Sequence, residues 1–226
     1  AAARTIHVDG PGVLFSLTLR DGVLSGSEGF VKTGSGDLNL WSSNSFAGVV
    51  KVAEGELYVA DDHALGDPAD GTVIQDGAYI SIRAQHIVGE SLTLNGHGPG
   101  NMGALYTPIS GVTNIWEGPI TLQSDTTINA RIEPEDLLIL SGAIDGPGSL
   151  TKIGGGTLTF SSPTENSYTG DTMVEEGVLE LAATRVVRHG TLTVGTHDSG
   201  PESDIVRFRS HAPIHTDVDV VINSDG

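Results

Sequence analysis

The chain has 226 residues, with 11 lysine and arginine residues against 29 aspartate and glutamate residues, for a formal net charge of −18. Nucleic-acid binding draws its affinity from lysine and arginine, so this balance argues against nucleic acid as a partner. The absence of cysteine excludes disulfides, thiolate metal sites and cysteine nucleophiles. No apolar run approaches the length of a membrane-spanning helix, so we expect no membrane insertion of this segment.

Apolar and polar residues alternate in short stretches along the whole chain. Clear examples are residues 37–40, 91–94, 157–160 and 191–194. This alternation is typical of half-buried β-strands, and no window of a dozen residues keeps the helical period. Corners rich in glycine, asparagine and aspartate separate the strands, in keeping with a total of 31 glycines. The pattern predicts an all-β fold, either a sandwich or a solenoid.

An internal repeat favours the solenoid. Residues 30–40 align with residues 150–160, and the similarity continues beyond a loop that is two residues longer in the second copy. Length variation confined to one corner is typical of solenoid coils. The copies lie near residues 29–66 and 149–183. Their shared positions are Lys32, Gly34, Gly36, Asn44, Phe46, Gly48 and Gly55 in the first copy, and Lys152, Gly154, Gly156, Asn166, Tyr168, Gly170 and Gly177 in the second.

The order of these positions resembles the autotransporter-associated β-strand repeat, also called the passenger-associated transport repeat. The string Leu-Thr-Lys-x-Gly-x-Gly-Thr-Leu, then Asn-x-Tyr-x-Gly-x-Thr-x-Val-x-x-Gly-x-Leu, extends from Leu150 to Leu179. The resemblance is most specific over residues 89–183 and weaker over 29–66. It implies a right-handed parallel β-helix (β-solenoid) from a large extracellular bacterial protein, and it implies no catalytic residues.

The physical chemistry of a solenoid gives these positions structural roles. At roughly 20 residues per coil, a single solenoid domain over residues 1–226 has about ten coils. The glycines expected at positive-φ corners are Gly34, Gly36, Gly154 and Gly156. We expect the amides of Asn44 and Asn166 to bond backbone groups of neighbouring coils. Phe46 and Tyr168 share one repeat position, which indicates structural stacking for both.

A carbohydrate-active enzyme, a polysaccharide lyase or hydrolase, is the alternative function. Two acids about 5 to 9 Å apart suit glycoside hydrolysis, and a solenoid places many acids at that spacing. A lyase acting on acidic sugar also needs cations, and no lysine or arginine cluster accompanies the acids in the sequence. We therefore interpret the acids as a solvated face and the protein as non-catalytic. The candidate pairs are Asp217 with Asp219, Glu133 with Glu135, and Glu175 with Glu180.

Calcium is the one cofactor that the sequence suggests. Asp61, Asp62 and Asp67 form the densest local group of acids, although the EF-hand and glycine-rich nonapeptide patterns are absent. His211 and His215 lie four residues apart, but Pro213 and a strand-like surrounding indicate loop residues rather than a metal pair.

Six aromatic residues are candidates for a strip that stacks on sugar rings, namely Trp41, Tyr58, Tyr79, Tyr106, Trp116 and Tyr168. Because Tyr168 occupies a repeat position, Trp41 and Trp116 are the preferred surface-binding residues. A surface receptor or a polysaccharide is the expected partner.

The sequence stops at residues 217–226, within a strand pattern that no capping element follows. The last coil of a solenoid needs a cap, so we expect the natural chain to continue or a second subunit to stack end to end. The sequence thus predicts a non-catalytic structural or adhesive β-solenoid, secreted or on the bacterial cell surface. Its role would be that of a stalk, an adhesin shaft or a filament subunit.

Overall fold

The computed structural model describes residues 4–9, 16–83, 85–131, 135–183, 187, 189–195, 204–209 and 214–223. Within these ranges the chain forms 24 short β-strands and one turn of 3₁₀ helix at Pro99–Asn101. No helix in this part of the chain has the length and apolar character needed to cross a membrane. The strands are β1 (Arg4–His7), β2 (Ser16–Leu19), β3 (Ser25–Gly26), β4 (Phe30–Thr33), β5 (Asp37–Leu40), β6 (Ser45–Phe46), β7 (Val50–Val52), β8 (Glu56–Val59), β9 (Thr72–Ile74), β10 (Tyr79–Ile82), β11 (His86–Ile87), β12 (Leu92–Gly96), β13 (Leu105–Thr107), β14 (Thr113–Trp116), β15 (Ile120–Ala130), β16 (Leu137–Leu140), β17 (Ile144–Asp145), β18 (Leu150–Ile153), β19 (Thr157–Phe160), β20 (Thr172–Val174), β21 (Gly177–Leu181), β22 (Thr191–Val194), β23 (Asp204–Phe208) and β24 (Asp219–Ile222).

The strands pair in parallel and build three faces of a solenoid. The first face contains β1, β4, β7, β9, β12, the start of β15, and β17. The second face contains β2, β5, β8, β10, β13, the end of β15, β18, β20, β22 and β24. The third face contains β3, β6, β11, β14, β16, β19, β21 and β23.

Inward side chains of successive coils form ladders that together make one continuous hydrophobic core. On the second face, one ladder runs through Leu38, Leu57, Ile80, Leu105 and Ile128, all completely buried. Such ladders arise because alternate residues of every strand point to the same side, and coils repeat at the strand spacing of about 4.8 Å. The prediction of an all-β parallel β-solenoid with about ten coils is confirmed.

The two repeat copies occupy different faces of the solenoid. In the first copy, β4 lies on the first face and β5 on the second. In the second copy, the equivalent strands β18 and β19 lie on the second and third faces. The 11-residue strand β15 belongs to both of the first two faces, because its start pairs with β12 and its end with β13. The repeat motif therefore sets local structure without setting the face.

The glycine predictions are half right. Gly34 and Gly154 both have a φ of 80°, a conformation that residues with a Cβ atom resist. Gly36 and Gly156 do not have positive φ, so the expectation for these two is wrong. Close approach of backbone explains Gly156, since a Cβ there would lie 2.9 Å from the carbonyl oxygens of Arg131 and Asp136.

The last described strands expose large apolar side chains. Phe208 of β23 is 53% exposed and Ile222 of β24 is 72% exposed. Association of this end with a second copy stays a prediction.

Candidate functional site

The lysine of the first repeat copy is locked inside a coil corner. Lys32 alternates with Phe30 on the inward side of β4 and is completely buried. Its Nζ donates to the carbonyl oxygens of Gly34 at 2.6 Å, Glu54 at 2.8 Å and Thr33 at 3.2 Å. The carboxylate of Glu54 accepts a hydrogen bond of 2.9 Å from the Gly34 amide. One amine thus joins two neighbouring coils at this corner.

The lysine of the second copy makes the same corner. Lys152 is completely buried, and its Nζ donates to the carbonyl oxygens of Ile153 at 2.9 Å, Glu176 at 2.8 Å and Gly154. The Glu176 carboxylate accepts from the Gly154 amide at 3.1 Å. Burial lowers the pKa of Lys152 to about 7, against the opposing effect of Glu176. Burial also lowers the pKa of Lys32.

We call these two arrangements the lysine corners. The sequence marked both lysines as repeat positions but assigned them no partners. The signal was present, because strand alternation places Lys32 on the same side as Phe30, and Lys152 on the same side as Leu150. A buried amine with three carbonyl partners is satisfied, so the most distinctive charged residue of the repeat is occupied by structural contacts.

The asparagines behave as predicted. The Asn44 side chain accepts from the Leu24 amide at 2.8 Å and donates to the Ala64 carbonyl at 2.6 Å, which connects three successive coils. Asn166 accepts from the Ile144 amide at 2.9 Å. Both asparagines therefore satisfy backbone groups of neighbouring coils, as the sequence indicated.

The aromatic residues of the repeat are core residues. Phe46 is buried and packs edge-on against Phe30, with ring centroids 5.5 Å apart. Tyr168 is buried, and its hydroxyl shares a 2.6 Å hydrogen bond with the Thr172 hydroxyl. Both are thus structural core residues, and a stacking contact is seen for Phe46, while stacking of Tyr168 stays a prediction.

Trp116 is no surface residue, and its assignment as a binding aromatic is wrong. The side chain is completely buried, in the inward ladder with Leu140 and Phe160. Its indole Nε1 donates to the Glu90 carbonyl at 2.9 Å. The hydrogen bond explains how a polar ring nitrogen is accommodated inside the solenoid.

Trp41 does reach the surface, and three tyrosines accompany it on the second face. Trp41 is half-buried, and its ring lies 5.8 Å from that of Tyr58. Tyr58 pairs in register with Ser81 of β10, which in turn pairs with Tyr106 of β13. Four of the six aromatic residues that the sequence singled out therefore share one outer face, the fourth being Tyr79 of β10.

A groove of about 680 Å³ borders this face at its junction with the first face. Carboxylates and one tyrosine ring line it, and the loop that contains the 3₁₀ turn forms one wall. Asp37 pairs in register with Glu56, and burial raises the pKa of both carboxyl groups. Glu56 accepts hydrogen bonds from the hydroxyls of Tyr79, at 3.0 Å, and Ser81. The lining residues are Ser35, Gly36, Asp37, Ala53, Glu54, Gly55, Asp76, Gly77, Tyr79, Pro99 and Met102.

The acid pairs proposed for catalysis receive little support from their surroundings. Glu180 is bound by Arg209 at 2.9 Å and Arg207 at 3.2 Å, so it is committed to an ion-pair network rather than paired with Glu175. Asp217 and Asp219 are exposed. The pair of Glu133 with Glu135 includes Glu133, which lies outside the described residues.

The three aspartates suggested for calcium point to separate partners. Asp61 accepts from the Ser43 hydroxyl and the His63 amide, Asp62 from the His86 amide, and Asp67 from the Ala69 amide. In the described ranges, no three histidine, aspartate or glutamate side chains come together as metal ligands. Calcium dependence stays a prediction.

The histidine pair lies only partly within the described residues. His211 lies outside them, and the Nδ1 atom of His215 lies 3.3 Å from the amide nitrogen of Asp217, which donates to it.

Comparisons with known proteins identify the repeat and one relative. The Passenger-associated-transport-repeat family matches residues 30–59 and 150–181, both inside the predicted copies. Over 175 residues, the chain is 27% identical to the Adhesin BmaC autotransporter of Brucella suis biovar 1 (strain 1330). The matched region is 77% of this chain but 4% of the adhesin. No solved structure matches the chain. The chain therefore carries two passenger-associated transport repeats, built into a parallel β-solenoid.

Proposed function

We propose that the chain is a rigid, non-catalytic segment of a secreted or cell-surface bacterial adhesin, in which stacked coils hold a binding surface away from the cell. The lysine corners carry this proposal. Lys32 and Lys152 use their amines to join coils, so the chemistry that the two copies share serves coil stacking. Similarity to an autotransporter adhesin supports the location.

The charge distribution supports the same role. A net charge of −18 on a stack of short coils gives a strongly negative outer surface. Like charge keeps proteins soluble and discourages sideways association. A shaft that must stay separate from its neighbours on a crowded surface benefits from this repulsion.

Immunogold labelling of intact cells of the organism that makes the chain tests the location. We expect antibodies against the purified chain to label unbroken cells, and external protease to remove the label. Labelling that appears only after lysis would contradict a surface role.

A product-release assay tests the absence of catalysis. The purified chain is incubated with neutral and acidic polysaccharides, and new reducing ends and unsaturated products are measured. We expect none. Product release that disappears in the Glu56→Gln variant would replace the adhesin proposal with an enzyme whose site is the groove beside Asp37.

A further inference from the structure

Two arginines converge on the one tryptophan that reaches the surface. Arg20, Trp41, Ala60 and Arg83 follow the aligned strands β2, β5, β8 and β10 at equivalent positions. The guanidinium carbon lies 4.2 Å from the Trp41 ring centroid for Arg20, and 5.2 Å for Arg83. Arg83 reaches the ring across an entire coil, and the small side chain of Ala60 leaves the space for it. We call Arg20, Trp41, Tyr58 and Arg83 the arginine–aromatic cluster.

The two arginines of this cluster have no ion-pair partner in the part of the chain that the structure describes. Among the acids around the cluster, Asp21 directly follows Arg20 in the chain, Asp61, which follows Ala60, accepts from Ser43 and His63, and Glu56 is engaged by Tyr79 and Ser81. Arginine stays charged at every physiological pH, so two like charges are held beside one ring. An anion placed between them would relieve their repulsion.

Contact with the aromatic ring orients the arginine side chains for binding such an anion. A guanidinium stacked on an aromatic face keeps its N–H groups in the plane of the guanidinium, directed outward. Those N–H groups match the two oxygens of a carboxylate or the oxygens of a sulfate. The stacking contacts hold the side chains in place before binding, which reduces the entropy lost when a ligand is bound.

The surface next to the cluster offers partners for sugar hydroxyls. Outward side chains at matching positions of successive coils form a polar ladder at a spacing of about 4.8 Å. The half-buried members of the ladder are Asn39, Tyr58, Tyr106 and Asn129, while Ser81, between Tyr58 and Tyr106, is completely buried and donates to Glu56. Amide and hydroxyl groups both donate and accept hydrogen bonds, as sugar hydroxyls do.

We propose that the arginine–aromatic cluster binds the carboxylate or sulfate of an acidic polysaccharide, whose chain extends along the polar ladder of the second face. The net charge of −18 disfavours polyanions of high charge density, such as nucleic acid. An acidic sugar chain presents its charges singly, with neutral hydroxyls between them. The biological setting rests on the proposed surface location, while binding itself is a property of the purified chain.

Fluorescence titration provides the test, because the chain has only two tryptophans, Trp41 at the surface and Trp116 completely buried. The probes are oligogalacturonate, sulfated dextran oligomers, maltohexaose and sodium sulfate. We expect saturable changes in Trp41 emission with one or both acidic oligomers, weakening as salt rises. We expect at least tenfold weaker binding of maltohexaose and of sodium sulfate.

Matched variants assign the effect to the cluster. Arg83→Gln and Arg20→Gln should each weaken oligomer binding about tenfold or more. Lys51→Gln, which removes one exposed positive charge from the first face, should change it less than about twofold. Arg83→Lys keeps the positive charge but loses the planar guanidinium group. Its loss of affinity should therefore lie between that of Arg83→Gln and that of Lys51→Gln. Equal urea midpoints for all variants show that each one folds.

Four outcomes would overturn the proposal. These are no binding of either of the two acidic oligomers, affinity for maltohexaose equal to that for the acidic oligomers, sulfate binding as tight as oligomer binding, and a loss of affinity in Lys51→Gln equal to that in the arginine variants. The third outcome would reduce the cluster to an inorganic-anion site. None of them bears on the labelling of intact cells, so failure here and failure of the surface role are distinguishable.

Discussion

The two repeat copies share the lysine corner but differ in the face that they occupy and in one pair of interior residues. Lys32 and Lys152 each join two coils through three carbonyl partners. Yet β4 lies on the first face of the solenoid and β18 on the second. The motif is therefore a local device that stacks one coil on the next, whichever face it occupies.

The aromatic positions show what the copies are free to change. The second copy pairs Tyr168 with Thr172 through a hydrogen bond. The equivalent residues of the first copy are Phe46 and Val50, both apolar and both buried. In each copy the two residues match, because they are either hydrogen-bonded to each other or both apolar. The two positions therefore differ together between the copies, while the lysine corner is the same in both.

The largest expected effect comes from filling a corner glycine. Gly154→Ala should destabilise the protein by about 3 kcal/mol, because a Cβ there meets the Ala130 carbonyl and the φ of 80° is strained for alanine. Gly34→Ala, which meets the Val8 carbonyl, should match it. Gly77 has a φ of 79°, and a Cβ added there would have nothing within 4 Å, so Gly77→Ala isolates the strain at about 1 kcal/mol.

Urea unfolding followed by circular dichroism measures these differences. An equal loss in Gly77→Ala and Gly154→Ala would show that coil contact at the corner contributes nothing.

Replacing either corner lysine should have the next largest effect. Lys32→Met and Lys152→Met preserve most of the side-chain volume but leave three carbonyl groups, one buried and two partly buried, without their amine donor. We expect each to cost about 2 kcal/mol in urea unfolding. Lys51→Met, at an exposed position of β7, should stay within about 0.5 kcal/mol of the parent protein. If only one of the two variants lost stability, the two lysine corners would not be equivalent.

The tyrosine pair gives a smaller and more specific effect. Tyr168→Phe should cost about 1 kcal/mol, because it removes a buried hydrogen bond and leaves the Thr172 hydroxyl without that partner. The double variant Tyr168→Phe with Thr172→Val installs the pair found in the first copy and should recover most of the loss. A double-mutant cycle in urea unfolding measures this coupling, and strictly additive losses would contradict it.

A separate test is the dependence of stability on pH, to which one titrating lysine contributes at most about 1.4 kcal/mol per pH unit. Burial lowers the pKa of Lys152 from its ordinary value of 10.5 to about 7. Between these values the unfolded chain binds more protons, so stability should rise with pH from about 7 to about 10.5. The rise should be reduced in Lys152→Met relative to the parent protein. A parallel pH profile in the variant would show that Lys152 does not titrate in this window.

The sequence predicted the solenoid because the repeat pattern of strands and corners is visible in short stretches of the chain. Alternation and corner glycines belong to this local pattern, and the repeat spacing indicated that Asn44 and Asn166 would bond backbone groups of neighbouring coils, as they do. What the sequence missed depends on register. Arg20 and Arg83 are far apart in the chain and meet over Trp41 because the strands before them, β2, β5, β8 and β10, pair in register.

The misassignment of Trp116 has a similar cause. The four-residue strand β14 fits either orientation of its side chains by composition alone. Its pairing with β16, and the acceptor that the Glu90 carbonyl offers to the indole, decide that Trp116 points inward. Partners on other coils are not visible in a single stretch of sequence.

Amine acetylation followed by mass spectrometry tests the lysine corners most directly, because the chain contains only three lysines, Lys32, Lys51 and Lys152. The two corner lysines are completely buried, and Lys51 is exposed. In the native protein we predict rapid acetylation of Lys51 and protection of Lys32 and Lys152 until urea unfolds the chain. Acetylation of either corner lysine at the rate of Lys51 under native conditions would contradict the account.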